Sequence, residues 1–359
     1  SEGTSEFEDN NNETNKPNEE PQIVDVDLTS NSITGNVYTI TSGDTAYRFT
    51  SDGKETSNRI TISDSITTAK PICIYLKNVN IKTSEGPALR IPANLNADVH
   101  IYLEGENILE TSNRDSAALQ KENTSELIIN NVPNSAGSLI AAAINTDTST
   151  ETGVQKILAW GAGIGGGANQ KGSNITINGG SITASSTVGA GIGGGGYTGG
   201  NGEKISINGG TITAKAGTGA GIGGGELCHG SNITIKNGFV TADSAIGAGI
   251  GGGANGYGKD ITIENGSITA DSSFGAGIGG GYLKNGNNII ISNSLVSASS
   301  DRGDSIGGGD ESETSSNITI SSGSVKAAKL GCQPKNGSNQ EVYRCTIENP
   351  EKAEVTIKT

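Results

Sequence analysis

Five copies of Gly-Ala-Gly-Ile-Gly-Gly-Gly begin at Gly161, Gly189, Gly219, Gly247 and Gly275, and a divergent sixth runs Gly303-Asp-Ser-Ile-Gly-Gly-Gly309. The starts lie 28, 30, 28, 28 and 28 residues apart. So strict a period means repeated units stacked on one another. Between the motifs a second element returns, as in Asn174-Ile-Thr-Ile-Asn-Gly-Gly-Ser-Ile-Thr-Ala184 and Asp260-Ile-Thr-Ile-Glu-Asn-Gly-Ser-Ile-Thr-Ala270. Its two short runs alternate apolar and polar residues with β-branched types, which is the strand pattern. The Asn-Gly or Gly-Gly between them supplies the positive φ of a sharp corner.

A flat array of hairpins would share that corner. The apolar columns argue otherwise. Ile175, Ile205, Ile233 and Ile261 form one, Ile177, Ile207, Ile235 and Ile263 a second, Ile182, Ile212, Val240 and Ile268 a third, and Ile164, Ile192, Ile222 and Ile250 a fourth. Four columns per period need one shared interior. An all-β, right-handed parallel β-helix of about 28 residues per regular coil supplies it, with like residues stacking about 4.8 Å apart. Ala184, Ala214, Ala242, Ala270, Ala298 and Ala327 mark where the coil is thin. Fifty-six glycines in 359 residues leave little room for helix.

Gly161-x-Gly163-x-x-Gly166 also fits the dinucleotide fingerprint. That motif needs a helix after its last glycine. Here a loop and an Ile-Thr-Ile strand follow, so the glycines read as structural turns. A formal net charge of −14 argues against nucleic acid as a partner.

The composition divides the chain. Residues 1–22 hold seven acids against Lys16 and few large apolar groups, and read as a disordered acidic tether. Residues 23–160 read as irregular coils of the same solenoid. Ser84–Ile91 and Asp115–Gln120 stand where the glycine motif later stands, and the polar stretch Ala143–Lys156 reads as an exposed loop. Residues 161–330 are the regular coils, and 331–359 depart from the period, as a solenoid end must. A Cys332–Cys345 bond is plausible there, with Cys73 and Cys228 free. No apolar segment has membrane-spanning length. No signal peptide is visible, and Ser1–Glu6 is the kind of sequence that follows a bacterial lipoprotein's modified cysteine, which suggests a lipid anchor upstream.

Chemistry needs a break in the columns. The clearest is Asp301-Arg-Gly-Asp304-Ser-Ile-Gly-Gly-Gly-Asp310-Glu311. Asp301, Asp304, Asp310 and Glu311 could offer oxygens to calcium, act as an acid/base pair on a polysaccharide, or form a solvated turn. The tripeptide Arg302-Gly303-Asp304 is too short to signify. Tyr197, Tyr257 and Tyr282 follow successive glycine motifs, and on one side of the solenoid they could line a ligand-binding strip or merely pack the loops. Cys228-His229 lacks the further ligands zinc requires. His100 falls on the outward side of its strand.

The order Ile74-Tyr-Leu-Lys-Asn-Val-Asn-Ile81, Pro87-Ala-Leu, Val99-His-Ile-Tyr-Leu-Glu-Gly-Glu-Asn107, then repeated Gly-Ala-Gly-Ile-Gly-Gly-Gly with Asn-Ile-Thr-Ile-Asn-Gly-Gly, resembles that of secreted bacterial surface proteins labelled carbohydrate-binding or adhesin-like. The resemblance covers roughly residues 70–330. The front part is similar, more loosely, to a bacterial β-helix family described as binding cellulose and acidic plant polysaccharide with calcium. The resemblance implies an extracellular, surface-attached protein with a glycan, polysaccharide or host protein as partner. Non-catalytic adhesion or glycan binding is the leading expectation. A polysaccharide lyase or hydrolase, or a plain spacer, are the alternatives.

Overall fold

The computed structural model describes residues 22–144, 146–147, 156–332, 335, 337–338, 345–348 and 354–358. The expected tether lies outside them, apart from Gln22. The chain winds into a parallel β-solenoid of about ten coils, with no helix among the described residues. Each regular coil visits three sheets. The Ile-Thr-Ile run enters an eleven-stranded isoleucine sheet, the Ile-Thr-Ala run an alanine sheet, and the glycine motif a ten-stranded glycine sheet.

Register follows the columns. Ile175 pairs with Ile205 and Ile177 with Ile207 in the isoleucine sheet. Ile182 pairs with Ile212 and Ala184 with Ala214 in the alanine sheet, and Ile192 with Ile222 in the glycine sheet. All these side chains are buried. A one-residue slip would turn every one of them to solvent, so burial fixes the register. The corner glycines Gly180, Gly210 and Gly238 have φ of +94°, +91° and +99°.

The glycine motif brings backbone against backbone. Gly165, Gly193, Gly223, Gly251, Gly279 and Gly307 share a φ of 135–138°. A Cβ on Gly165 would overlap the Gly193 carbonyl oxygen, and one on Gly193 that of Gly223. Within each motif the alanine N–H donates to the sixth-position glycine carbonyl, as Ala190 to Gly194 at 2.9 Å, while the Gly194 N–H donates to Gly223 of the next coil at 2.9 Å. The strand is thereby folded back, and the residues before and after the motif meet.

The front coils fill the same cross-section with larger groups. Tyr47, Phe49, Leu76 and Leu103 are buried, and Leu89 and Leu119 continue the Ile164 column. Ion pairs link neighbouring coils at Asp25–Arg48, Glu55–Lys82 and Lys77–Glu104. Lys121 is 1% exposed, and its Nζ donates to the Asn123 carbonyl at 2.7 Å. Burial pushes its pKa down to about 8, against the pull of Asp98 and Glu126.

One expectation is corrected. Ala143 does not open a loop: it closes the strand Ser138–Ala143 and is buried against Thr111. The pair Thr146–Asp147 and Lys156–Ile157 is antiparallel, and the residues between lie outside the described ones. Cys332 is free, as are Cys73 and Cys228, and the side chain of Cys345, its expected partner, lies outside what the structure describes. At the C-terminal end, Glu354–Lys358 pairs antiparallel with Gly323–Ala327 and with Cys345–Glu348.

Candidate functional site: the loop ridge beside the glycine sheet

Each glycine motif is followed by a loop, and the loops stack. The residue eight places after the motif start is Asn169, Tyr197, Leu227, Asn255, Leu283 and Glu311 in turn. Every one is left-handed, with φ between 58° and 69°. The first five amides reach the preceding loop residue of the next coil, with Tyr197 to Glu226, Leu227 to Ala254 and Leu283 to Asp310 at 3.0, 2.7 and 3.0 Å. Asparagine suits this conformation, whereas tyrosine and leucine adopt it at a cost of about 1–2 kcal/mol each. The three bulky members nevertheless stand in solvent, at 37%, 42% and 37% exposure. In their column Tyr197 and Leu227 stand one coil apart, and Leu283 stands two coils further on, past Asn255.

The three tyrosines singled out in the sequence fall on this side of successive coils but in different columns. Tyr282 is the first loop residue, Tyr197 the second, and Tyr257 the last before a strand. Each is braced by a ring. Tyr197 lies 4.4 Å from Trp160, Tyr257 5.2 Å from His229, and Tyr282 meets Phe274 edge-on at 6.0 Å. Cations cover several outer faces: Arg114 on Trp160 at 4.5 Å, Lys284 on Tyr257 at 5.0 Å and Arg302 on Phe274 at 4.5 Å. The Trp160 indole N–H is buried without a partner. Tyr197 and Tyr257 are exposed; Tyr282 is half-buried. Leu227 and Leu283 were missed in the sequence, and aligning residues by distance from the motif start would have found them.

The acidic turn is built otherwise than expected. Arg302, Asp304, Asp310, Glu311, Glu313 and Lys329 border one cleft of about 230 Å³, and Asp301 is not among them. No three His, Cys, Asp or Glu side chains among the described residues are placed to hold a metal ion. Asp304, Asp310 and Glu311 share the cleft, and Asp301 stands outside it. Asp304 occupies the motif's alanine position and is 7% exposed. In earlier coils the sixth-position glycine N–H donates to the coil above; in this last motif Gly308 donates to Asp304 Oδ2 at 2.8 Å instead. The carboxylate stands in for the glycine carbonyl that a further motif would offer. Burial raises its pKa, opposed by the Gly308 N–H and by Lys329, whose Nζ is 3.5 Å from Oδ1.

Cys228 and His229 are not a reactive pair. The Cys228 thiol is buried and donates to the Tyr197 carbonyl, and burial raises its pKa. His229 Nδ1 accepts the Tyr257 N–H at 3.0 Å, which leaves Nε2 as the donor. Burial, with Lys259 and Lys284 nearby, lowers its pKa. On the isoleucine sheet, Tyr75 and Tyr102 stack at 4.8 Å, with Arg48 in register beside Tyr75. The twin strands Ile72–Lys77 and Val99–Glu104 carried that signal, since alternation turns both tyrosines outward. His100 likewise stands outward, between Cys73 and Ile128.

A family model described as a beta helix repeat matches residues 175–196, 205–226, 233–254 and 261–282. The chain is a parallel β-helix protein. Each matched stretch spans both strands and the glycine motif and stops at the first loop residue or just before the ridge column. Tyr197, Leu227 and Tyr257 fall in the gaps between matched units, and Leu283 follows the last of them. No curated protein and no solved structure matches the chain. No described helix is long and apolar enough to cross a membrane.

Proposed function

We propose that this β-helix is a non-catalytic glycan-binding or adhesive protein of the bacterial cell exterior, and that the loop ridge is its binding strip. One observation carries the reading: Tyr197, Leu227 and Leu283 keep bulky side chains in solvent at left-handed positions where Asn169 and Asn255 would fit without strain. Backbone strain held in exposed loops on a rigid scaffold is characteristic of binding sites. Apolar and phenolic groups set one and two coils apart, at multiples of about 4.8 Å, suit an extended polymer with a repeating unit of similar rise. Tyr197 and Tyr257 add hydroxyls beside their rings, which suits sugars. The extracellular setting is supported by the resemblance of the repeats to bacterial surface proteins. Against a lyase or hydrolase stands Asp304, the buried carboxylate of the acidic cleft, which is already engaged by Gly308 and Lys329.

The test is a glycan array probed with the full chain and with a Tyr197→Asn/Leu227→Asn/Leu283→Asn variant. Each substitution copies a residue the column already uses, so the variant folds at least as well. Binding that the variant loses, with or without chelator, supports the ridge. Binding that the variant retains moves the site elsewhere, and no binding by the wild type sinks the glycan reading.

A further inference from the structure

Seven Asn-Gly pairs fall among the described residues. In such a pair the asparagine side chain is open to attack by the backbone, because glycine has no Cβ to shield its nitrogen. The attack needs two free partners: the side-chain amide, which must turn toward the chain, and the N–H of the glycine that follows. Six of the seven pairs have at least one of them engaged. The Asn178 and Asn208 amides stand in a ladder, Asn208 Nδ2 donating to Asn178 Oδ1 at 3.0 Å and Asn178 Nδ2 to Asn130 Oδ1 at 2.9 Å. Asn201 Oδ1 accepts the His229 N–H, and the Gly202 N–H donates to the His229 carbonyl, both at 2.9 Å. The Gly256 N–H, after Asn255, donates to the Gly253 carbonyl at 2.7 Å. Gly266 and Gly286 donate to Ser294 Oγ and Ser315 Oγ at 3.2 and 3.0 Å, and the asparagines before them are held by Asn293 and by the Thr314 carbonyl.

The seventh pair is Asn237-Gly238. Neither the Asn237 side chain nor the Gly238 N–H has a hydrogen-bond partner among the described residues, and Asn237 is exposed. The corner is pinned on both sides, by the Lys236 N–H on the Ile207 carbonyl and the Phe239 N–H on the Gly210 carbonyl, each at 2.9 Å, and is free between. The columns explain why. Asn237 stacks on Gly209, which has no side chain to offer, and Lys236 stands where the ladder needs another asparagine. In the following coils Asn265 and Asn293 are both left-handed, at φ of +56° and +43°, and pair with each other; in the Asn237 corner the positive φ falls on Gly238 instead, at +99°.

We propose that Asn237 is a site of spontaneous deamidation, and the first of these seven asparagines to convert. The Gly238 nitrogen, having lost its proton to solvent base, bonds to Asn237 Cγ, and the Cγ–Nδ2 bond breaks to release ammonia. The cyclic imide then takes up water. Opening at Cγ gives aspartate. Opening at the backbone carbonyl gives isoaspartate, in which the chain runs through Cβ and is one atom longer. Either product adds a negative charge beside Lys236. The longer isoaspartate corner lies between two fixed rungs and carries Phe239, the most exposed large apolar side chain among the described residues, at 66%.

Peptide mapping by mass spectrometry tests this on the full chain, aged in mildly alkaline buffer with and without denaturant. Exchange of ammonia for water makes a peptide about 1 Da heavier. In the folded chain the Asn237 peptide is expected to gain that mass soonest, as two products that separate on chromatography. With each pair taken relative to its own rate in denaturant, Asn237 should lead the other six by at least about fivefold, the factor that one hydrogen bond is worth. Asn237→Gly, which copies Gly179 and Gly209 of the same column, removes the early product and leaves the other six unchanged. An Asn237 that stays intact in the folded chain while the denatured chain reacts, or another of the seven that reacts as fast on the same scale, overturns the proposal.

Discussion

The front coils and the glycine-motif coils solve one packing problem in two ways. Both stack parallel strands around a single apolar interior. In the front coils the interior is filled by side chains: Phe49, Leu76, Leu89 and Leu103. In the later coils the glycine sheet moves inward until backbone touches backbone, and isoleucine and alanine suffice for the rest. The first solution tolerates variety, because a lost methyl in one coil can be offset in the next. The second needs the same residue in the same place in every coil. Strict periodicity in this chain therefore reports where main-chain atoms are in contact, and its loss toward the front reports where side chains have taken over.

The comparison breaks most sharply at the glycines. Gly223→Ala sets a Cβ against the Gly251 carbonyl at a φ of 137°, and is expected to cost about 4 kcal/mol or more, read as loss of the cooperative melting transition. Leu103→Ala in the front is expected to cost about 3 kcal/mol in denaturant unfolding, a cavity loss that neighbouring coils can partly refill. Were the leucine variant the worse of the two, the contrast between backbone-filled and side-chain-filled coils would be wrong.

Asp304 sharpens the contrast at the solenoid's end. Asp304→Ala restores the motif's usual alanine yet leaves the Gly308 N–H without an acceptor, and is expected to cost about 2 kcal/mol. Asp304→Asn keeps a carbonyl oxygen there and costs less. A carboxyl whose pKa is raised on folding binds more protons folded than unfolded just above its ordinary pKa of 3.8. Its contribution to stability therefore improves as pH falls through that window. The asparagine variant lacks this dependence, which thermal melts across acidic pH would reveal.

Lys121 gives the smallest expected effect and the opposite sign. Its folded pKa of about 8 lies below the ordinary 10.5, so between these values the unfolded chain binds more protons and stability rises with pH. Lys121→Met is expected to add about 1–2 kcal/mol near pH 7. The gain should shrink through the window from about pH 8 upward. A gain that does not change with pH would mean that Lys121 is not buried as a charge.

The core was legible in the sequence because it is written in columns. Ile175 above Ile205, or Ala184 above Ala214, needs only the period to be seen. The candidate site was legible only in part. Tyr197, Leu227 and Leu283 share a backbone conformation and no side-chain chemistry, so no residue pattern announces the column. Asp304 resembled a ligand because nothing in Asp301–Glu311 says that no further glycine-motif coil follows, and its partner is the very N–H which that absence frees. Lys121, in Leu-Gln-Lys-Glu, reads as a solvated charge until the chain turns it inward.

Stacking also decides how such a protein bears load. The hydrogen bonds between coils point along the solenoid, so a pull on its two ends meets them one rung after another. Nothing in that arrangement makes many bonds share the strain, as sheared strands would. Each coil that yields would release about 28 residues, roughly 90 Å of slack at ~3.3 Å per residue, while the coils behind it stay wound. Single-molecule stretching should then record a train of small, evenly spaced yields in place of one large rupture. In the adhesive role proposed above, such a chain would give way by degrees and still hold what it had bound.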